Sequence, residues 1–444
     1  MKYFRAFFAV VGSLLATFSL ATVIEAQNPA TASSSDHRAN RETLKLVVIL
    51  SRHGVRSSTW TEEKLNAYSA QPWPEFGVAP GYLTSHGYEL IKDFGSYDRA
   101  SLAEAGLLPT HGCADAASAY IWADVDERTL ESGRALAEGL FPGCATQVHS
   151  VASGNRDPIF LPAASALKPF TKEALAAFEV LVRMRTNAEQ DALIGQMQNV
   201  LDGCAPNSKC TPKHVPQTLL GAGLGSVIRG KGEHLADLQG PLAQASSFSE
   251  DLLLEYTNGM PLNQVGWGNV DENQLRRFIA LHTAYFDLMN RTPSLARVEA
   301  SNTLFHIART LDQGVEGHAA DGAVGPAGSK LVVLMGHDSN LAGVASLLGL
   351  HWTLDGRTDD TPPGTELAFE LWQNKRGTYS VRVRVAMQTL NQMRNLDTLT
   401  LAAPAALQEL PIPACGGDSC AWQDFLRVVD GAVDKDSVFT FRPH

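Results

Sequence analysis

Two short apolar runs, far apart in the chain, end in the same way. Leu44 to Leu50 reads Leu-Lys-Leu-Val-Val-Ile-Leu, and Leu331 to Met335 reads Leu-Val-Val-Leu-Met. Both are short, rich in β-branched residues and bounded by polar positions, which is the pattern of a buried strand. Each runs into a glycine-containing turn, Arg52-His53-Gly54-Val55-Arg56 after the first and Gly336-His337-Asp338-Ser339-Asn340 after the second. Between Leu44 and about Pro162, strand-like and helix-like stretches alternate. Gly87 to Ala105 predicts a helix, Ser118 to Ala123 a strand, and Thr129 to Leu140 a further helix, the order of βαβ units on a parallel sheet.

From about Thr171 to Leu288 the periodicity is helical, with few strand signals. After Leu331 the earlier pattern resumes. Leu341 to Leu350 predicts a helix that Asp338 or Ser339 can cap. Glu366 to Trp372 and Ser380 to Met387 predict two strands joined through Asn374-Lys375-Arg376-Gly377. Val381, Val383 and Val385 alternate with Arg382 and Arg384, as in a half-exposed antiparallel pair at a sheet edge. The predicted fold is α/β, a central mostly parallel sheet with flanking helices and an inserted, mainly α-helical domain. The α/β core comprises residues 44–170 and 289–444, and the insertion residues 171–288. Roughly 400 residues follow the leader, too many for one ordinary core. No internal repeat is apparent.

The N-terminus changes this picture. Met1-Lys2-Tyr3-Phe4-Arg5 and the apolar stretch Ala6 to Ala21 read as a signal peptide over residues 1–26, cleaved after Ala21 or Ala26. The stretch is short for a membrane span, which needs about 20 residues. Residues 27–43 are small and polar and read as a flexible leader. The expected location is therefore periplasmic or secreted, with no membrane contact after cleavage. A formal charge of −11 argues against a nucleic-acid or anionic-membrane partner. Any anion site must be a local basic pocket, and the expected state is a monomer.

The six cysteines are Cys113, Cys144, Cys204, Cys210, Cys415 and Cys420. An even count in an exported chain suggests disulfides, although six cysteines allow fifteen pairings. Spacing favours Cys113–Cys144, Cys204–Cys210 and Cys415–Cys420. The first would close the largest loop and contribute roughly 3–4 kcal/mol on a chain-entropy estimate. The pairs lack the spacing of a zinc site.

A strand that ends in a tight turn delivers its next side chains to the carboxyl edge of a sheet, where α/β proteins bind ligands. Two arginines around a histidine supply planar phosphate donors and a nucleophile. Arg-His-Gly-x-Arg and His-Asp-x-Asn at two such edges form a specific pair. With them the chain resembles the histidine acid phosphatases, in particular the bacterial phytases and glucose-1-phosphatases. Gly81-Tyr82-Leu83-Thr84, the run Asp124 to Thr129, Gly259-Met260-Pro261, Gly266-Trp267-Gly268, Thr361-Pro362-Pro363-Gly364 and Gln388 to Arg394 carry the same likeness. The three local disulfides also match the family's pattern.

The resemblance implies an enzyme in which His53 attacks phosphorus and forms a phosphohistidine. Arg52, Arg56, Arg128 and His337 would bind the phosphate. Asp338 would protonate the leaving alcohol and later take a proton from water. Such a cluster needs no cofactor and no metal to supply positive charge. Each residue has a plainer reading: His53 as a core histidine, Arg128 as the partner of Asp124 or Asp126, and Asn340 as a brace for its turn. His86, His111, His149, His234 and His351 have no supporting context and are expected to be structural or surface residues. Thr59, Trp60, Met260 and Glu299 are expected around the substrate. Relatives specialised for phytate place cations where Trp60 and Glu299 stand here, and Ser58 replaces the usual proline. The stretch Gly259 to Trp267 and Ser339 resemble the glucose-1-phosphatases, whereas Asp124 to Thr129 is phytase-like. The expected substrates are small-molecule phosphate monoesters, with phytase or glucose-1-phosphatase activity as the alternatives. A superfamily mutase, or a binding protein that holds phosphoesters without cleaving them, are the remaining classes. A mutase fits the export signal poorly, and a binding protein has no use for both His53 and Asp338.

Overall fold

The computed structural model describes residues 42–161, 172–185, 188–203, 216–219, 225–230 and 235–440. The signal peptide, most of the leader, His234 and the Cys204–Cys210 pair lie outside these residues. Of the leader only Glu42 and Thr43 are described, and Thr43 already begins the first strand.

An eight-stranded mixed sheet organises the described chain. Its strands are β1 (Thr43–Arg52), β2 (Ala119–Ala123), β3 (Val148–His149), β4 (Leu331–Gly336), β5 (Glu366–Gln373), β6 (Tyr379–Met387), β7 (Ala406–Glu409) and β8 (Cys420–Ala421). The order is β7-β6-β5-β1-β4-β2-β3, with β8 also paired to β6. The central strands β1, β4 and β2 run parallel, as does β3 beside β2. The C-terminal strands are added antiparallel on the other side of β1.

The apolar run in β1 is continuous because both faces of the strand are covered. Val48 and Leu50 join a core that includes Leu304, Ile307 and Phe425. Val47 and Ile49 face the opposite way, toward Ile91, Leu136 and Leu140. Those last three belong to helices α1 (Ser85–Glu104) and α2 (Glu127–Leu140). Both helices start a little earlier than the apolar periodicity predicts, because their polar first turns carry no apolar positions.

Within the predicted insertion, helices Lys172–Arg185, Ala188–Asp202, α3 (Pro241–Thr257) and α4 (Glu272–Met289) dominate. A small antiparallel hairpin, Ser226–Arg229 with Ala236–Gln239, interrupts them. Its strands are too short to display an alternating pattern. The apolar core of this region, built around Phe248, Leu252, Phe278 and Leu281, also takes in Val55, Leu65 and Trp73. The described residues from Glu42 onward form one compact unit.

The β5–β6 pair is antiparallel but does not form the sheet edge. β5 lies between β1 and β6, and β6 carries both β7 and β8. Arg384 is therefore buried, and its Nε lies 2.7 Å from Glu370. A charged residue in an alternating strand is no guide to solvent when a carboxylate waits on the neighbouring strand. Disulfides join Cys113 to Cys144 and Cys415 to Cys420.

Beside Arg384 two further carboxyls are buried, Asp98 on α1 and Glu366 at the start of β5. Burial holds Asp98 up to about 7 against the pull of Arg384. Burial, and then the charge of Asp98, hold Glu366 well above the usual carboxylate range. Raised carboxyl values mean that the folded state binds protons the unfolded chain has released. This stability is fully present below about pH 4 and is lost as pH rises toward 7. We expect the Tm to fall between pH 5 and pH 8, and to fall less in Asp98→Asn. An identical pH dependence of Tm in the two proteins would contradict this.

Candidate active site

Three strand ends come level at one edge of the sheet. Arg52 lies opposite Gly336, and Ala123 lies opposite Met335. The chain then passes directly from strand to site. His53 N–H donates to the Gly336 carbonyl at 3.0 Å, and Asp124 N–H donates to the Met335 carbonyl at 3.1 Å. On the other side, Gly364 N–H donates to the His53 carbonyl at 3.0 Å. Sequence-distant His53, His337 and Asp124 are thus brought together by register alone, at the carboxyl edge where such folds bind ligands.

Gly54 is required by close approach. A Cβ there would lie 2.9 Å from the Gly87 carbonyl oxygen and 2.8 Å from Ile91. Gly87, in the first turn of α1, would itself meet the Val55 carbonyl oxygen at 2.1 Å. Thr84 caps α1 and also donates from its backbone N–H to that oxygen at 3.0 Å. The Arg-His-Gly turn and the Gly-Tyr-Leu-Thr stretch are therefore two halves of one contact.

Charge is arranged around Arg52, whose side chain is fully buried. Its guanidinium donates to Glu250 and to the Thr361 carbonyl, and lies 2.9 Å from Asp338. Arg56 lies 3.5 Å from the same Glu250 oxygen. Arg128 donates to Asp126 at 2.5 Å, and His337 Nε2 donates to Asp124 at 2.7 Å. His53 Nδ1 is 2.8 Å from the Gly54 carbonyl. A carbonyl only accepts, so Nδ1 carries the proton and Nε2 keeps its lone pair.

Protonation states follow from these neighbours. Burial, then Arg128, Arg52, Arg56 and His337, push His53 well below its ordinary value, so its imidazole is neutral. For Asp338, burial alone would raise the value, but Arg52, then His282 and Arg56, bring it down to about 2. Burial likewise opposes ionisation of Glu250, and Arg52 reverses it. The free site thus holds a neutral imidazole and an ionised carboxylate side by side.

His53, Arg56, Arg128, His337 and Asp338 line one cavity of about 460 Å³, together with Asp124, Asp126 and Arg156. The helices α2 and α5 (Asp338–Leu348) both begin at its wall, so backbone N–H groups and positive dipole ends add to the arginines. Asp124, Asp126 and His337 also offer ligand atoms within 4.8 Å of one another, a spacing that a metal ion can use. Asp124 is already engaged by His337, and Asp126 by Arg128.

Arg128 sits in the first turn of α2, just beyond the end of β2; it both pairs with Asp126 and lines the cavity. Asn340 braces its turn: its Oδ1 accepts from His337 N–H at 2.9 Å and its Nδ2 donates to the Phe160 carbonyl at 2.7 Å. His337, not Asp338 or Ser339, is the N-cap of α5, because the chain is still extended there. Of the four residues expected around the substrate, none lines this cavity. Thr59 is exposed on the loop after Arg56. Trp60 packs against Tyr68 and Phe248 and lines a neighbouring cavity. Met260 is buried, with its carbonyl accepting from Arg394 at 2.7 Å. Glu299 accepts from Leu235 N–H at 3.1 Å.

Three further charged or titratable residues at the site, Glu250, Arg156 and His282, stand outside both sequence motifs. Glu250 had a signal, an acid set among Phe248, Leu252 and Leu253 on a helix whose apolar face is buried. His282, on α4, lies 3.9 Å from Glu250 and accepts from or donates to Ser246 at 3.0 Å. Arg156 stands in an irregular loop and had none.

The sequence pattern of the histidine phosphatase superfamily (branch 2) matches residues 43–386. The chain is 33% identical to phytase AppA of Escherichia coli (strain K12) over 416 residues, covering 88% of this chain and 92% of that one. It is 28% identical to the glucose-1-phosphatase of Salmonella typhimurium (strain LT2) over 405 residues, with the same coverages. A solved structure of Hafnia alvei phytase in complex with myo-inositol hexakis sulphate matches with a TM-score of 0.78 and 32% identity, over 90% of this chain and 99% of that one.

The geometry of His53 gives a direct expectation. NMR of protein labelled at histidine nitrogens should find His53 neutral, with the proton on Nδ1, from pH 5 to pH 7. An imidazolium signal for His53 at pH 6 would contradict the charge arrangement described above.

Proposed function

The chain belongs to branch 2 of the histidine phosphatase superfamily and is a phosphoric monoester hydrolase; on that footing we propose that it is an acid phosphatase of small organic phosphate esters, working through a phosphohistidine at His53. One observation carries this reading: His53 is neutral, tied through Nδ1, flanked by Arg52 and Arg56, and shares its cavity with Asp338. Nε2 attacks phosphorus as the ester P–O bond breaks, and the alcohol leaves with a proton from Asp338. Water then attacks the phosphohistidine, its proton goes to Asp338, and the P–N bond breaks. Arg52, Arg56, Arg128 and His337 hold the phosphoryl oxygens and stabilise the charge spread over them.

An Asp338 ionised in the free site must receive its proton before it can give one. Phosphate monoesters lose their second proton near pH 6. Below that the ester arrives as a monoanion and brings the proton with it, while its charge competes for Arg52 and raises Asp338. The acid preference follows from this delivery. The signal-like N-terminus and the paired cysteines support action outside the cytoplasm, and the formal charge of −11 speaks against a nucleic-acid or anionic-membrane partner. No helix among the described residues is long and apolar enough to cross a membrane.

The alternatives are phytate or glucose 1-phosphate as the main substrate, as the names of the similar proteins suggest. Against a strong preference for phytate stand Trp60, drawn into an aromatic cluster, and Glu299, tied to Leu235.

Rapid quench with labelled substrate should trap a base-stable, acid-labile phosphoenzyme, absent from His53→Ala together with turnover. Asp338→Asn should lose about 10²–10⁴-fold on glycerol phosphate and much less on p-nitrophenyl phosphate, whose leaving group needs no proton. Full activity in His53→Ala, or equal losses on both esters in Asp338→Asn, would refute the mechanism. Turnover should fall as pH rises through about 6.

The arginines already supply the positive charge, so EDTA should leave the rate nearly unchanged. Inhibition reversed by a divalent ion would instead direct attention to Asp124, Asp126 and His337.

A further inference from the structure

Ser58, which stands where proline usually closes the first motif, is buried. So is Asp251 on α3, the residue after Glu250. Neither takes part in the chemistry proposed above, yet the two are joined. The Ser58 hydroxyl accepts from Trp60 N–H at 3.1 Å and donates to the Asp251 carboxyl. Asp251 shares a cavity wall with Trp60, Leu65 and Trp73. A carboxyl among such neighbours costs free energy that a leucine would not, so packing does not account for it.

The turn that carries Arg56 gives it a role. Arg56 Nη1 donates to the Ser57 carbonyl at 2.9 Å, so the guanidinium hangs on the peptide that joins Ser57 to Ser58. That peptide is fastened on both sides. Before it, Ser57 N–H donates to the Tyr82 carbonyl at 3.0 Å, and Ser57 Oγ to the Ala79 carbonyl at 2.6 Å. After it, Gly81 N–H donates to the Ser58 carbonyl at 2.8 Å, and Asp251 holds the Ser58 side chain. The second guanidinium nitrogen, Nη2, lies 3.5 Å from Glu250. Two successive residues of α3 therefore serve Arg56, Glu250 by direct contact and Asp251 through the turn.

We propose that Asp251 is a positioning residue for phosphoryl transfer: it accepts from Ser58 and so sets the carbonyl from which the Arg56 guanidinium hangs. The proposal rests on the phosphatase reading above and adds a residue to it. A proline stiffens its position by fixing its own φ. A serine needs a partner for its side chain to do the same, and Asp251 is that partner. The charged groups that act on Asp251 are Arg56 and Lys64 from outside α3, and Glu250 and Glu255 on α3 itself. Burial, opposed by Ser58 and Arg56, raises its carboxyl to about 7. In acidic solution it is thus neutral and holds the turn without drawing Arg56 away from a phosphate.

The test is a cycle of variants in acidic solution, read as kcat/KM for glycerol 2-phosphate and as affinity for inorganic phosphate. Asp251→Leu and Ser58→Ala should each lose about tenfold in both, since a misplaced guanidinium forfeits a charged hydrogen bond to the phosphoryl group. Asp251→Asn keeps an acceptor for Ser58 and should stay near the unmutated values. In Arg56→Ala, adding Asp251→Leu should cost nothing further, because the loss runs through Arg56. Unchanged values in Asp251→Leu and Ser58→Ala overturn the proposal. So does an equal loss with and without Arg56, which a merely structural role would give. An Asp251→Asn as impaired as Asp251→Leu also overturns it. Ser58→Ala deletes one hydroxyl and carries the test if Asp251→Leu fails to fold. An unmutated protein with no turnover on any ester refutes the phosphatase reading instead, and phosphate affinity then decides the role of Asp251. Absence of phosphate binding as well overturns both.

Discussion

Arg52 is the residue on which the site is assembled. A guanidinium with no solvent exposure costs several kcal/mol of hydration unless its partners are well placed. Those partners come from three separate parts of the chain: Glu250 on α3, Asp338 at the head of α5, and the carbonyl of Thr361 before β5. The helical region and the α/β core are therefore joined by charge as well as by packing. If either carboxylate is displaced, a buried cation loses part of its compensation. The arrangement proposed to bind phosphate also secures the geometry of the strand ends.

The site works by keeping unlike protonation states side by side. Burial and then the positive neighbours hold His53 neutral, and the same neighbours hold Asp338 ionised against burial. A second cation near a histidine costs nothing when that histidine is meant to be uncharged. On the far side of β5, Asp98 and Glu366 show the reverse, carboxyls kept protonated because burial outweighs one arginine. Asp338 has several cations close by, whereas Asp98 and Glu366 share one arginine and the charge of Asp98 holds Glu366 up further.

Much of the chemistry could be read from the sequence because it is local. His53 with its flanking arginines, and His337 with Asp338, each lie within a few residues at the end of a strand whose apolar run announces it. Register then does the rest. Glu250 was legible only as an oddity, an acid on a buried helical face. Arg156 was not legible, since an irregular loop carries no period. The edge placement expected for β5 and β6 failed because alternation reports which side chains face away from an apolar layer, and Arg384 faces a buried carboxylate. Cations expected near the substrate were compared by position, and position says nothing of direction. Trp60 turns toward Phe248, and Glu299 toward the backbone of Leu235.

The first strand pairs with nothing near it. Val47 is opposite Leu331 on one side and Glu370 on the other, so the sheet cannot begin to close until most of the chain is available. Loop-closure entropy must be met before these contacts return anything, which makes such topologies slow to fold and leaves apolar β1 exposed meanwhile. On the proposed export, a chain that stays unfolded while it crosses a membrane gains from this delay. The apolar β1 precedes every strand it pairs with and has no partner to commit to too early, so holding it unpaired becomes a task for chaperones rather than for its own sequence.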